Sequence, residues 1–467
     1  MPTPLPVRVV QDPSDGYRRL PHLETSEPDL RISFDVLDGG RIQARMSGPA
    51  LPSLRGGEHK VLLSAAPAEV RMSAARLCRR WNQIFVDHQP KDSAGRPRAG
   101  LRRPYATAAD LRQEPETELA DTVSKLVGAG ASLLFDVLLG GSDERVETFR
   151  GYLALMLASE GLRIRFDSHE LHLPWPMLCL KPHHLAVTPS APGGGSGTGA
   201  GGLEELFALF LGHRHQIEHT GDAYQWLRPP KPVGPGPTYV SLNHNPAVGP
   251  KTCAPAVAAA LAEGTRCEVR TTYDDLVRDL GKPDIDEQLM YFWGHGGFEA
   301  NGAEAPQLVI RLGDEIPFDG QTVIEVREDH RITGTFHPFV LLNACQAGHA
   351  ASDADRSFLG RVLIRYGAQG VLGPQIDMPQ AFAAEYAQEF VRRFLRGGPQ
   401  DTAGRIVWEL ARHFTAAYRN PLGFAYALHC GMDARIRLAE AYQVTEPVRQ
   451  TENHTAGSRP AGRTEHA

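Results

Sequence analysis

Apolar and polar positions alternate over residues 30–36, where Leu30, Ile32, Phe34 and Val36 are separated by polar residues. Asp38-Gly39-Gly40 follows, and Ile42, Ala44 and Met46 resume the alternation. A period of two on either side of a glycine turn predicts a β-hairpin. Residues 60–64 predict a third strand. At 73–86 the period lengthens: Ala74, Leu77, Trp81 and Phe85 recur every three or four residues, which predicts a helix. Helical spacing returns at 114–139, and Leu162, Ile164 and Phe166 then alternate as a strand.

From residue 238 short apolar runs alternate with helical periods. Runs at 238–242, 267–271, 289–293, 339–342 and 370–372 predict strands, and 254–263, 273–280, 358–366, 380–396 and 405–414 predict helices. Phe382, Tyr386, Phe390 and Phe394 fall on one helix face. Short strands that are apolar throughout, alternating with helices, predict an α/β fold with a mainly parallel sheet covered on both faces. The expected divisions are a flexible N-terminus over 1–25, an α+β accessory region over 26–110, a main domain over 111–444 and a disordered tail over 445–467. A flexible Gly-rich loop is expected at 192–202, inside the main domain.

Of the 467 residues, 42% are hydrophobic and 22% charged, which is a globular composition. A net charge of -6 argues against a general nucleic-acid-binding surface. No run of about 18 apolar residues predicts a membrane span. The first 15 residues lack the basic-then-apolar pattern of a secretion signal. The six cysteines form no C-x-x-C pair, so a zinc ribbon or redox motif is not expected. A reducing, cytoplasmic compartment fits these features.

Two strand ends carry reactive groups. One apolar run, Leu289 to Trp293, ends in Gly294-His295-Gly296-Gly297; another, Phe339 to Leu342, ends in Asn343-Ala344-Cys345. Active residues in an open α/β sheet gather at the carboxyl ends of adjacent strands. Neighbouring parallel strands would set His295 beside Cys345, the arrangement that yields a thiolate nucleophile. The glycines after His295 let the backbone approach a substrate carbonyl, so the N–H groups of Gly296 and Cys345 are candidate oxyanion donors.

Other motifs carry less. Residues 197–202 fit G-x-G-x-x-G, but no strand precedes them, as a dinucleotide site requires. Gly249-Pro250-Lys251-Thr252 lacks the spacing of a phosphate loop. His215 and His219, at i,i+4 spacing beside Glu218 and near His213, read as a solvated polar helix end, with no third distant ligand for zinc. No cofactor or metal is expected.

The His and Cys strands resemble those of the caspase-like cysteine peptidases, and within them the CHAT domain family. Leu173-Pro174-Trp175 with Leu178, Trp293-Gly294-His295-Gly296, Leu342-Asn343-Ala344-Cys345, residues 358–373 and Asn420-Pro421-Leu422-Gly423-Phe424 are similar to that family's landmarks, in its order. Pro176 stands where the family has Glu. The resemblance implies a caspase-like three-layer α/β/α sandwich across the 111–444 domain. It implies His295 as general base and Cys345 as nucleophile of a cysteine endopeptidase that acts on a specific protein. Asp377, Asp353 and Asp355 are candidates for the substrate pocket. A bacterial signalling or defence role, with a separate protein as activator and no membrane or nucleic-acid partner, is implied as well. Two alternatives stay open: a non-enzymatic scaffold of the same fold, and a cysteine hydrolase acting on another acyl or amide bond.

Overall fold

The computed structural model describes residues 27–51, 59–90, 96–97, 103–185, 202–221, 238–299, 307–330, 334–345, 359–398 and 400–436. The expected flexible start over 1–25, all but the last residue of the loop at 192–202, and the tail over 445–467 lie outside them.

The chain opens with β1 (Leu30–Leu37), β2 (Arg41–Ser47) and β3 (His59–Leu63), then helix α1 (Pro67–Trp81), which runs into a π-helical turn at Asn82–Val86. Helices α2 (Glu116–Ser132) and α3 (Glu144–Ala158) follow, with strands β4 (Arg163–Asp167) and β5 (Gln216–Thr220). The alternating part holds β6 (Thr238–His244), α4 (Ala254–Ala262), β7 (Thr265–Arg270), α5 (Tyr273–Leu280) and β8 (Leu289–Trp293). A small hairpin system comes next: β9 (His295–Glu299), β10 (Gln307–Arg311) and β11 (Pro317–Phe318). It is followed by α6 (Gly320–Arg327), β12 (Phe339–Asn343), α7 (Leu359–Arg365), β13 (Gly370–Pro374), α8 (Gln380–Arg396), α9 (Ala403–Tyr418) and β14 (Tyr426–His429).

Eleven strands form one sheet in the order β3-β2-β1-β4-β5-β14-β13-β12-β8-β6-β7, while β9, β10 and β11 form a separate three-stranded sheet. The large sheet is mainly parallel, as expected; its antiparallel pairs are β3–β2, β2–β1 and β13–β14. Because β14 runs against β13 and along β5, strands β1, β4 and β5 point opposite to β6, β8, β12 and β13.

Both faces of the β8–β12 region are covered, and the reason is legible in alternate residues. Met290, Phe292, Val340 and Leu342 pack with Leu276 of α5, Val323 of α6 and Val362 of α7. Leu289, Tyr291, Phe339 and Leu341 pack on the other side with Val257 of α4 and with Phe382 and Phe390 of α8. Every residue of β8 and β12 is buried. Such strands have no polar face, which is why they read as apolar runs.

Several elements depart from the sequence expectation. Residues 216–220 are the strand β5, where the sequence pattern predicts a polar helix end. Glu218 is fully buried there, but Arg165 Nε donates to its Oε1 at 2.7 Å and the Met432 N–H to its Oε2 at 3.0 Å. That pairing lets a charged residue occupy a core strand, contrary to its usual surface placement. His215 and His219 therefore share no helix face, and among the described residues no His/Cys/Asp/Glu group is arranged to hold a metal. Helix α3, with its weak amphipathic pattern, the β9–β10 hairpin with β11, helix α6 and strand β14 are likewise not among the elements expected from the sequence.

Candidate active site

The site is built on the pairing of β8 with β12. Their parallel register matches Phe339 with Leu289 and continues to Asn343 with Trp293, always 50 positions apart. His295 and Cys345 lie two residues beyond the ends of those strands, with the same separation. The backbones meet there: an ideal Cβ on Gly296 would fall 2.5 Å from the Cys345 carbonyl oxygen and 2.9 Å from the Cys345 nitrogen. Only a residue without Cβ permits this approach, which is the physical requirement for glycine after His295.

Several contacts fix the two strand ends. Asn343 is buried; its Nδ2 donates to the Ala383 carbonyl at 2.8 Å, and its Oδ1 accepts from the Tyr426 hydroxyl at 2.7 Å. The end of β12 is thus tied to α8 and β14. On the β8 side the Trp293 indole Nε1 donates to the Val248 carbonyl at 3.0 Å, and Gly249, at φ +69°, lies against the indole. The Gly249–Thr252 segment is a turn packed on Trp293. Beyond Gly294 the chain leaves the large sheet and becomes β9, where His295 is paired across the small sheet with Arg311. The Arg311 guanidinium is bonded to Glu299 and to the Glu315 carbonyl.

His295 is exposed and Cys345 is half-buried. The Cys345 thiol lies 4.0 Å from the Met378 carbonyl, and among the described residues no hydrogen bond joins it to His295. Burial pushes the thiol pKa above its ordinary value, and the Asp377 carboxylate adds to the rise, while the Met378 backbone contact opposes it. Burial thus favours the neutral thiol over the thiolate. Nucleophilic chemistry there needs a base, and catalytic hydrogen bonds often tighten only with substrate bound.

Asp377, in the segment between β13 and α8, is exposed and close to Cys345. Asp353 and Asp355 lie outside the described residues. Sequence reasoning passes over Met378, because a carbonyl contact carries no side-chain signature. It also passes over the β9–β10 hairpin, although the alternation of Leu308, Ile310 and Leu312 is a signal that could reveal it.

Residues 241–407, which include both strand ends, match the CHAT domain family model. Over these residues the chain is similar to CHAT domains. A probable protease of Vitiosangium sp. (strain GDMCC 1.1324) is 28% identical over 153 residues, which cover 32% of this chain and 19% of that protein. The match spans about a fifth of the relative's length. Among solved structures, the Saccharomyces cerevisiae separase–securin complex aligns with a TM-score of 0.43 at 12% identity, over 86% of this chain and 30% of that one. The Arg-specific cysteine proteinase gingipain R aligns with a TM-score of 0.38 at 11% identity, over 59% of this chain and 64% of that one. The CHAT match ends before β14 and begins after β5, so β1 to β5 and α1 to α3 lie outside it.

Proposed function

We propose that the chain is a cysteine endopeptidase in which Cys345 is the nucleophile and His295 the general base. The observation that carries this reading is the backbone contact of Gly296 with Cys345, which sets the two reactive residues at adjacent strand ends. The Cys345 thiol gives its proton to His295, and its sulfur attacks the peptide carbonyl carbon. The N–H groups of Gly296 and Cys345 face the developing oxyanion. The tetrahedral species collapses to a thioester, the amine leaves with the proton returned by His295, and water then releases the acid. Asp377 beside the nucleophile supplies a carboxylate for a basic residue preceding the cut bond. The substrate is a specific protein, and a second protein acts as trigger; a bacterial regulatory or defence role suits such a latent protease, acting in the cytoplasm.

A second reading, a scaffold that binds partners without cleaving them, is favoured by the thiol contacting the Met378 carbonyl with no hydrogen bond to His295 among the described residues. One experiment separates the two. Wild type, Cys345→Ala and His295→Ala are assayed against a fluorogenic peptide library varied at the residue before the bond. The peptidase reading expects turnover by wild type and losses of at least about 1,000-fold in both variants. Equal turnover by wild type and Cys345→Ala would remove Cys345 from the chemistry.

A further inference from the structure

The segment that flanks the nucleophile is held by a residue far away in the sequence, outside the CHAT match. Asn82 begins the π-helical turn after α1. Its Nδ2 donates to Asp377 Oδ2 at 2.8 Å, and the Asp377 N–H donates to Asn82 Oδ1 at 3.1 Å. This reciprocal pair grips the residue next to Met378, whose carbonyl lies 4.0 Å from the Cys345 thiol. Asn82 is itself firmly placed. Trp81 before it is fully buried, with its ring 5.8 Å from Phe210 in an edge-on contact. Phe85, one turn on, is fully buried and lies 4.9 Å from Tyr105. The gripped segment is seated at its other end too, by the Gln375 N–H on the Ala425 carbonyl at 2.8 Å.

We infer that Asn82 is a positioning residue: its two hydrogen bonds hold the 375–379 segment so that Asp377 and the Met378 carbonyl stand beside Cys345. The N-terminal region then forms part of the working site. The inference deepens the peptidase reading and rests on it only for its kinetic consequence. A small displacement at a nucleophile is costly, because reactive geometry tolerates errors of well under about 1 Å.

The test is a pair of mutant cycles. In the first, Asn82→Asp is made in wild type and in Asp377→Asn. In wild type it sets two carboxylates face to face. In Asp377→Asn it re-forms both bonds, because the amide introduced at position 377 donates to the new carboxylate at position 82. The expected result is a fall in kcat/KM of about tenfold in the first background and of less than about threefold in the second. Any role of Asp377 in substrate binding cancels, because each background is its own reference. In the second cycle, Cys345 alkylation by iodoacetamide is followed against pH with site-resolved mass spectrometry. Asn82→Ala is expected to lower the alkylation midpoint in wild type, as the Asp377 carboxylate moves away, and not to lower it in Asp377→Asn, where no carboxylate is left to withdraw. Equal effects of the Asn82 substitutions in both backgrounds, or none in either, overturn the inference. Should wild type cleave no peptide, as a protease without its activator would, the kinetic cycle is silent and the alkylation cycle alone decides the role of Asn82. If Asn82→Asp alone fails to fold, Asn82→Ala and the double variant Asn82→Asp with Asp377→Asn carry the comparison.

Discussion

Gly296 shows how much one side chain, or its absence, controls. A methyl group there would press on two backbone atoms of Cys345, neither of which can rotate aside. Gly296→Ala is therefore expected to reduce kcat by about 100-fold or more while the circular dichroism spectrum is retained; unchanged turnover would mean that the backbone contact is not part of the site. The buried histidines set a different expectation. His215 donates from Nε2 to the Leu157 carbonyl, and burial holds its pKa at about 4, below the usual 6.5. Burial, with neighbouring His172 and His429, holds His219 well below its usual value too. A folded pKa below the unfolded one means that the unfolded chain takes up the proton first. The stabilisation is thus complete above about pH 6.5 and is lost as pH falls towards 4. The melting temperature is expected to drop between about pH 7 and about pH 4.5, and His215→Gln, which keeps a donor for Leu157, should flatten part of that drop. A melting temperature constant over this range would contradict the assignment.

Among the elements, the end of β12 is the one on which the site depends most. Asn343 binds it to α8 and β14, both of which come later in the chain than the strand itself. Asn343→Ala strips the Tyr426 hydroxyl and the Ala383 carbonyl of a buried partner. The expected cost is about 2–3 kcal/mol in urea unfolding, the penalty for stranding buried polar groups. Tyr426→Phe, which deletes one of those groups and leaves only Asn343 Oδ1 short, should cost less. The ordering of the two variants checks the argument better than either value. The helix α8 supplies the facing surface: the aromatic stripe Phe382, Tyr386, Phe390 and Phe394 predicted from sequence is buried along its whole length. The strands β8, β12 and β13 and the helices α5 and α8 are legible because their pattern is local and their core-facing positions are buried. Strand β5 is not, because its Glu218 is admitted to the core by distant partners that include Arg165 and the Met432 backbone.

At the scale of the whole molecule, one sheet runs through both the region outside the CHAT match and the region within it. Strand β1 pairs with β4 in register from Leu30 with Ile164 to Ser33 with Asp167. Trp175, one of the landmarks of the family resemblance, stacks on Phe166 of β4 with ring centroids 3.7 Å apart and lies 5.4 Å from Phe34 of β1. The closing landmark is tied similarly, since Asn420 Nδ2 donates to the Ala109 carbonyl at 2.8 Å. A fragment starting at residue 111 would expose the β4 edge and the apolar surface that β1 and α1 cover. It is expected to elute as aggregate in size-exclusion chromatography under conditions in which the whole chain elutes as a discrete species. A monomeric, folded fragment would show that the N-terminal strands are dispensable.

Local patterning was enough to determine the α/β class, the order of most strands and helices, and the two strand ends that present His295 and Cys345. These depend on neighbours in sequence: periodicity, apolar runs, and glycines beside a reactive residue. The tertiary structure alone decided what depends on distant partners. It placed β5 and β14 at the middle of the sheet, turned residues after His295 into a separate hairpin, and brought Asn82 to Asp377 across 295 positions. Hydrogen bonds between remote side chains and the seating of a buried charge leave no periodic trace, because neither partner is required to look unusual in its own stretch of chain.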